Sequence, residues 1–142
     1  MDSEFKNMDI IDMVSERHLQ LRKLTEKRWN DSSDIYLSNS EWFIMARIYK
    51  KQPTIAYVSK NVDISRQATH KFIKSLEAKG IVEISSVEYN KKDKCIRLTK
   101  LGEECYERSQ SLKVNLEKEI ADKIGSEQFT LLKDLLKLDW GL

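Results

Sequence analysis

Between Ile64 and Ile84 the chain reads ISRQATHKFIKSLEAKGIVEI, and its first half carries five long or aromatic donors: Arg66, Gln67, His70, Lys71 and Lys74. On a helix these share one side, while Ala68, Thr69, Phe72, Leu76 and part of Ile73 fall on the other. No Asp or Glu lies among the five. Ser65 supplies an N-cap oxygen, and Gly80 can end the helix in the left-handed conformation. Solubility asks for far fewer donors than this. Glutamine bonds adenine at two points and arginine bonds guanine at two, both from the major groove. Lysine acts as a point charge on phosphate, which positions a protein without reading its sequence. The pattern therefore predicts Ser65, Arg66, Gln67, His70, Lys71 and Lys74 as contacts to double-stranded DNA. The plain alternative is a solvated basic face.

Charge along the chain favours the first reading. The net charge of the 142 residues is only +2, but it is unevenly spread. Residues 66–100 hold nine Lys or Arg against four acids, a local charge of +5 that leaves −3 to the rest. A basic excess confined to one region suits an anionic partner for that region. Charged residues make up 34% of the chain, too many beside 40% apolar ones for a membrane protein and too well balanced for a disordered one. There is no apolar run of membrane-spanning length, and "MDSEFKNMD" lacks the basic start and apolar core of a signal peptide. Two cysteines, Cys95 and Cys105, without CxxC spacing, fit a reducing compartment, so a cytoplasmic location is expected.

The elements that must present the donors follow from periodicity. Met8, Ile11, Val14, His18, Leu21 and Leu24 recur at helical steps and predict a first helix from about Phe5 to Trp29, broken by "NDSSD". "SNSE" (38–41) is a capping box for a second helix, with Trp42, Met45 and Tyr49 inward, that must stop before Pro53. Thr54 caps a short third helix, and Asp63 stands where a left-handed residue is wanted before the donor helix. After Gly80 the period changes to two. "IVEISSVEY" and "KCIRL" read as strands around a polar tip, "NKKD" (90–93). Thr99 opens a long helix ended by Gly125, and Ser126 opens a last one.

Three short helices and a hairpin make a winged helix-turn-helix. The fold class is mainly α with a small β-hairpin wing, flanked by long N- and C-terminal helices. In such a unit the second helix of the pair enters the major groove. The wing tip adds Lys91 and Lys92, placed for the phosphate backbone. No enzyme is expected: no catalytic pairing, glycine-rich phosphate loop or metal-ligand spacing occurs, so no cofactor or metal is implied. Cys95 and Cys105 read as small apolar fillers. His18 reads as a hydrogen-bonded interface residue. The rival reading is a winged helix whose basic face meets an acidic protein.

The stretch from about Leu37 to Gly102 resembles the MarR (multiple antibiotic resistance regulator) family of bacterial transcription regulators. "TIAYVSKNVDISRQATHKFIKSLEAKGIV" matches that family's helix-turn-helix, and "IRLTKLG" (96–102) its wing end. The resemblance implies one domain over 1–142. Within it, 35–102 is the DNA-binding lobe, and 5–30 and 103–142 form a region that pairs two copies into a homodimer. It further implies a repressor on a palindromic operator, released by a small-molecule effector. The effector pocket would lie between the dimer helices and the lobe, near His18, Trp42, Met45 and Tyr49. One departure stands out. Where the family's wing tip usually reads Asp-Arg-Arg, this chain has Asn90, Lys91 and Lys92, so the acid that braces the arginine is missing. Family members that sense oxidants through a cysteine near the N-terminus have no counterpart before Cys95.

Overall fold

The computed structural model describes residues 5–87 and 90–142, without the side chains of 87 and 90–92. Within them lie six α-helices and one two-stranded sheet in the order α1 (Ile10–Ser32), α2 (Asn39–Ile48), α3 (Ile55–Asn61), α4 (Arg66–Ala78), β1 (Val82–Val87), β2 (Asn90–Leu98), α5 (Lys100–Ile124) and α6 (Ser126–Lys137). The chain divides into two compact units, one up to Glu107 and the other Arg108–Leu142. Among the described residues no helix is long and apolar enough to cross a membrane.

In the first unit, α1 departs from its expected limits at both ends. It begins at Ile10, because Asp9 turns out of the helix and its Oδ1 accepts the amide of Asp12 at 2.8 Å. It runs past Trp29 to Ser32. Of the polar residues that should break it, Asn30 finds its partner outside the helix, while Asp31 pairs with Lys27 and Ser32 bonds the Trp29 carbonyl within it. The Asn30 side chain accepts from the Leu37 amide (2.9 Å) and donates to the Leu37 carbonyl (3.2 Å). Asn30 therefore stops competing for its own helix backbone. Trp29, nearly fully buried, donates its indole N–H to the Ile35 carbonyl at 2.8 Å and meets the Trp42 ring edge-on at 5.0 Å.

The capping box of α2 forms as expected: Glu41 N donates to Ser38 Oγ, and Ser38 N donates to the Glu41 carboxylate. Thr54 and Ser65 likewise cap α3 and α4. The left-handed residue expected at Asp63 is not there. Among the described non-glycine residues only Lys50 has a positive φ, 55°, just after α2. Val62 instead leaves α3 in an extended conformation, which turns the chain without strain. Gly80, at φ 75°, ends α4 as expected. There the Ile81 amide reaches the Leu76 carbonyl and the Gly80 amide reaches that of Glu77, satisfying two carbonyls the helix leaves open.

The hairpin pairs β1 and β2 antiparallel from Val82↔Leu98 to Ser86↔Lys94, with an irregularity between Ser86 and Val87. β2 begins at Asn90, so the polar "NKKD" segment belongs to the strand. Ladder bonds are made by backbone, and they tolerate a polar side chain on an exposed strand. Two further links hold the wing. The Ile96 amide donates to the Pro53 carbonyl at 2.9 Å, beside an isolated bridge between Thr54 and Cys95. Thr99 Oγ1 donates to the Gly80 carbonyl (2.6 Å) and accepts the Gly102 amide (3.0 Å), joining the end of α4 to the start of α5. Gly102 is obligatory for that approach, since a Cβ there would meet the Ile81 carbonyl oxygen at 2.2 Å. The core between these elements is built from Ile44, Met45, Ile48, Val58, Leu76 and Ile96, all inaccessible to solvent.

The second unit is different in kind. Gly125, at φ 102°, precedes α6 and gives it no side-chain cap. No residue of α6 is buried. Lys133 reaches Glu117 at 3.3 Å, and the Trp140 indole donates to the Leu135 carbonyl at 2.8 Å.

Candidate nucleic-acid interface

The donor face of α4 is open along its whole length. Arg66, Gln67, His70, Lys71 and Lys74 are exposed, as is the capping Ser65. Thr69, Ile73 and Leu76 are buried on the opposite side, with Ala68 and Phe72 half-buried. The burial pattern has a local cause. Thr69 can enter the core because its hydroxyl donates to the Ser65 carbonyl at 2.9 Å, leaving its methyl to pack. From Arg66 to Lys74 the helix rises about 12 Å, close to the width of the major groove. Arg66 and Gln67 occupy the first two helical positions, the end that meets base edges in helix-turn-helix proteins. Glu77, the one acid of α4, is exposed but sits in the last turn, beyond the donors.

Not all the local basic charge belongs to this face. Lys79 turns inward: its Nζ lies 2.8 and 3.0 Å from the two carboxylate oxygens of Glu41 and 2.7 Å from the Tyr36 carbonyl. Arg97 pairs across the hairpin with Glu83 at 2.7 Å, as their register requires. Both partners are about half exposed, and such a pair adds little to stability. The side chains of Lys91 and Lys92 lie outside the described residues. Their backbone belongs to β2, and the neighbouring Lys94 is exposed.

The residues assigned to an effector pocket do not share one environment. Met45 is inaccessible and Trp42 nearly so, both in the core beneath α2. Tyr49 is half-buried: its ring meets Tyr106 at 4.4 Å and its hydroxyl donates to Glu107 at 3.0 Å. That hydrogen bond to a carboxylate, more than burial, holds the phenol above its ordinary pKa. His18 is exposed on α1, apart from any core. Cys105 is buried and Cys95 half-buried, and neither forms a disulfide. Among the described residues no group of three or more His, Cys, Asp or Glu is placed to hold a metal ion.

Sequence reasoning missed the polar cluster around the buried Glu41. Glu41 was legible as the last residue of a capping box, which uses one of its oxygens. The second oxygen, and the serine of α4 and the lysine just after it that reach it, have no local signature. The only available signal was that a carboxylate can accept several hydrogen bonds and a capping box supplies few of them.

Neither a family model nor a curated protein matches the sequence. Solved structures do. MarR of E. coli, in its apo form, superposes with a TM-score of 0.79 at 18% identity, over 92% of this chain and 96% of that one. FabT of Streptococcus pneumoniae, solved in complex with DNA, gives 0.75 at 20% identity over 89% and 90%. BldR of Sulfolobus solfataricus, a transcriptional regulator, gives 0.71 at 16% identity over 96% and 98%. The likeness spans nearly the full length of each partner. The chain has the winged-helix fold of the MarR regulators.

Proposed function

We propose, on a fold shared with MarR and FabT, that this protein is a homodimeric transcriptional regulator that binds double-stranded DNA through α4 and the wing. One observation carries the reading: α4 turns five long donors and no acid outward over two turns while its apolar side is buried. In FabT the same fold is seen on DNA. Arg66, Gln67 and His70 read base edges from the first turns, with Ser65 at the entrance. Lys71, Lys74, Lys91 and Lys92 hold phosphates.

Residues 35–102 form the DNA-binding lobe, and 5–30 with 103–142 form the dimer region. Support for pairing comes from apolar side chains left in water, Ile11 at 75% and Leu131 at 57% exposure among them. Patches of this kind mark association surfaces. A two-fold dimer suits a palindromic operator with half-sites one helical turn apart. The regulator acts as a repressor released by a small molecule; of the residues expected to line its pocket, His18 and Tyr49 are reachable from solvent, whereas Trp42 and Met45 are closed in the core. The test is a gel shift with the DNA upstream of its own gene. A retarded band that survives excess unrelated duplex, and is lost to excess specific duplex, is expected. Displacement by any duplex equally would leave a basic surface without sequence reading.

A further inference from the structure

Glu41 is 2% exposed, yet its carboxylate accepts hydrogen bonds from three residues. It accepts from the Ser38 amide (3.0 Å) and hydroxyl (3.1 Å), the Ser75 hydroxyl (3.3 Å) and both approaches of Lys79 Nζ. Lys79 continues to the Tyr36 carbonyl at 2.7 Å and lies 5.4 Å from the centre of the Tyr36 ring. Three pieces of chain meet in this cluster: the segment before α2, the first turn of α2 and the last turn of α4. The Glu41 side chain is buried and that of Lys79 about a quarter exposed. An ion pair with a buried partner is a poor device for stability, because desolvation cancels most of its attraction. What it supplies is direction. Apolar packing lets a helix roll or tilt slightly, whereas hydrogen bonds to two oxygens fix where its end must lie.

We infer that Glu41 and Lys79 are positioning residues, which clamp the C-terminal end of α4 and thereby aim its N-terminal end at the bases. The inference rests on α4 being the DNA-reading helix. Its physical content is a lever. The helix is about 20 Å long, so a tilt of about 5° at the clamped end moves the far end by nearly 2 Å. Base-edge hydrogen bonds do not survive such a shift, since their useful range is only a few tenths of an ångström. Lysines on flexible stems follow a displaced phosphate easily. The clamp therefore governs specificity while leaving general affinity for DNA alone.

The test uses the full chain and two duplexes: one enriched by the wild-type protein from a random-sequence library, and a shuffled duplex of the same composition. The double variant Glu41→Gln/Lys79→Met leaves no lone charge in the interior, so it keeps the fold. Gln also still serves the capping box. Expected are an unchanged circular dichroism spectrum, unchanged affinity for the shuffled duplex and a loss of about tenfold on the enriched one, the worth of one base contact. Ser75→Ala, which leaves both charges in place, gives a loss of about threefold in the same direction and decides the matter should the double variant misfold. Wild-type affinity of the folded variants for the enriched duplex overturns the inference, as does an equal loss on both duplexes. A wild-type protein that enriches no sequence overturns the reading of α4 itself, a separate and recognisable result.

Discussion

The helices α4 and α6 are nearly the same length, 13 and 12 residues, and both are amphipathic, yet they end in opposite situations. The apolar side of α4 is covered: Ile73 is 2% exposed and Leu76 wholly inaccessible. That of α6 is bare, with Leu131, Leu132, Leu135 and Leu136 between 44% and 57% exposed. Their ends differ too. A serine caps α4 through its side chain, while α6 follows an uncapped glycine. An isolated helix this short is marginal in water, and most helical stability comes from packing an apolar face. The comparison teaches that α4 has met its structural needs inside the chain and can spend its polar face on a ligand. The apolar face of α6 is left in water, and that exposure is what supports the proposed pairing with a second copy.

Removing 126–142 attacks the contrast most directly. If a second copy covers α6, the truncated protein sediments as a monomer. It also loses the linkage between half-sites, worth on the order of 10²-fold or more in affinity for a palindromic duplex. A truncated protein that stays dimeric and binds as before places the interface elsewhere. On the other side of the comparison, Gly102→Ala drives a methyl group into the Ile81 carbonyl just beyond α4. A loss of about 3 kcal/mol is expected in urea unfolding, the upper end of what overpacking costs. An unfolding midpoint equal to wild type would show that the close approach relaxes without cost.

Smaller effects sharpen the account of the open face. Gln67→Ala and His70→Ala should each cost about 1–3 kcal/mol on the specific duplex with little change on random DNA. Equal losses on both would move those residues from base reading to phosphate holding. Lys92→Ala should weaken every duplex by a similar factor and flatten the plot of log affinity against log salt by about 1 per monomer. An unchanged slope removes the wing from the DNA and strengthens the reading of the fold as a protein-binding module.

Much of α4 was legible in advance because its instructions are local. Ser65 caps it, Gly80 ends it, and the spacing of Thr69, Ile73 and Leu76 names its buried side. The same holds for the capping box at Ser38 and for Thr54 before α3. Each of these signals lies within a few residues of the backbone groups it satisfies. Limits set by distant partners were read less well. The extension of α1 to Ser32 depends on Asn30 bonding Leu37, and the inward turn of Lys79 depends on a carboxylate on another helix. By charge alone, Lys79 counted with the basic residues facing an anionic partner.

The sequence by itself determined which segments become helices, where most of them start, and that the first two turns of one short helix would carry donors and no acid. Helical periodicity and capping are properties of neighbouring residues, so they can be read along the chain. Only the tertiary structure decided that Glu41, Ser75, Lys79 and the Tyr36 carbonyl share one cluster, and that Gly102 must lack a side chain because the Ile81 backbone passes beside it. A hydrogen bond or a steric contact between residues distant in sequence needs the fold to bring them within a few ångströms, and no local pattern encodes that meeting.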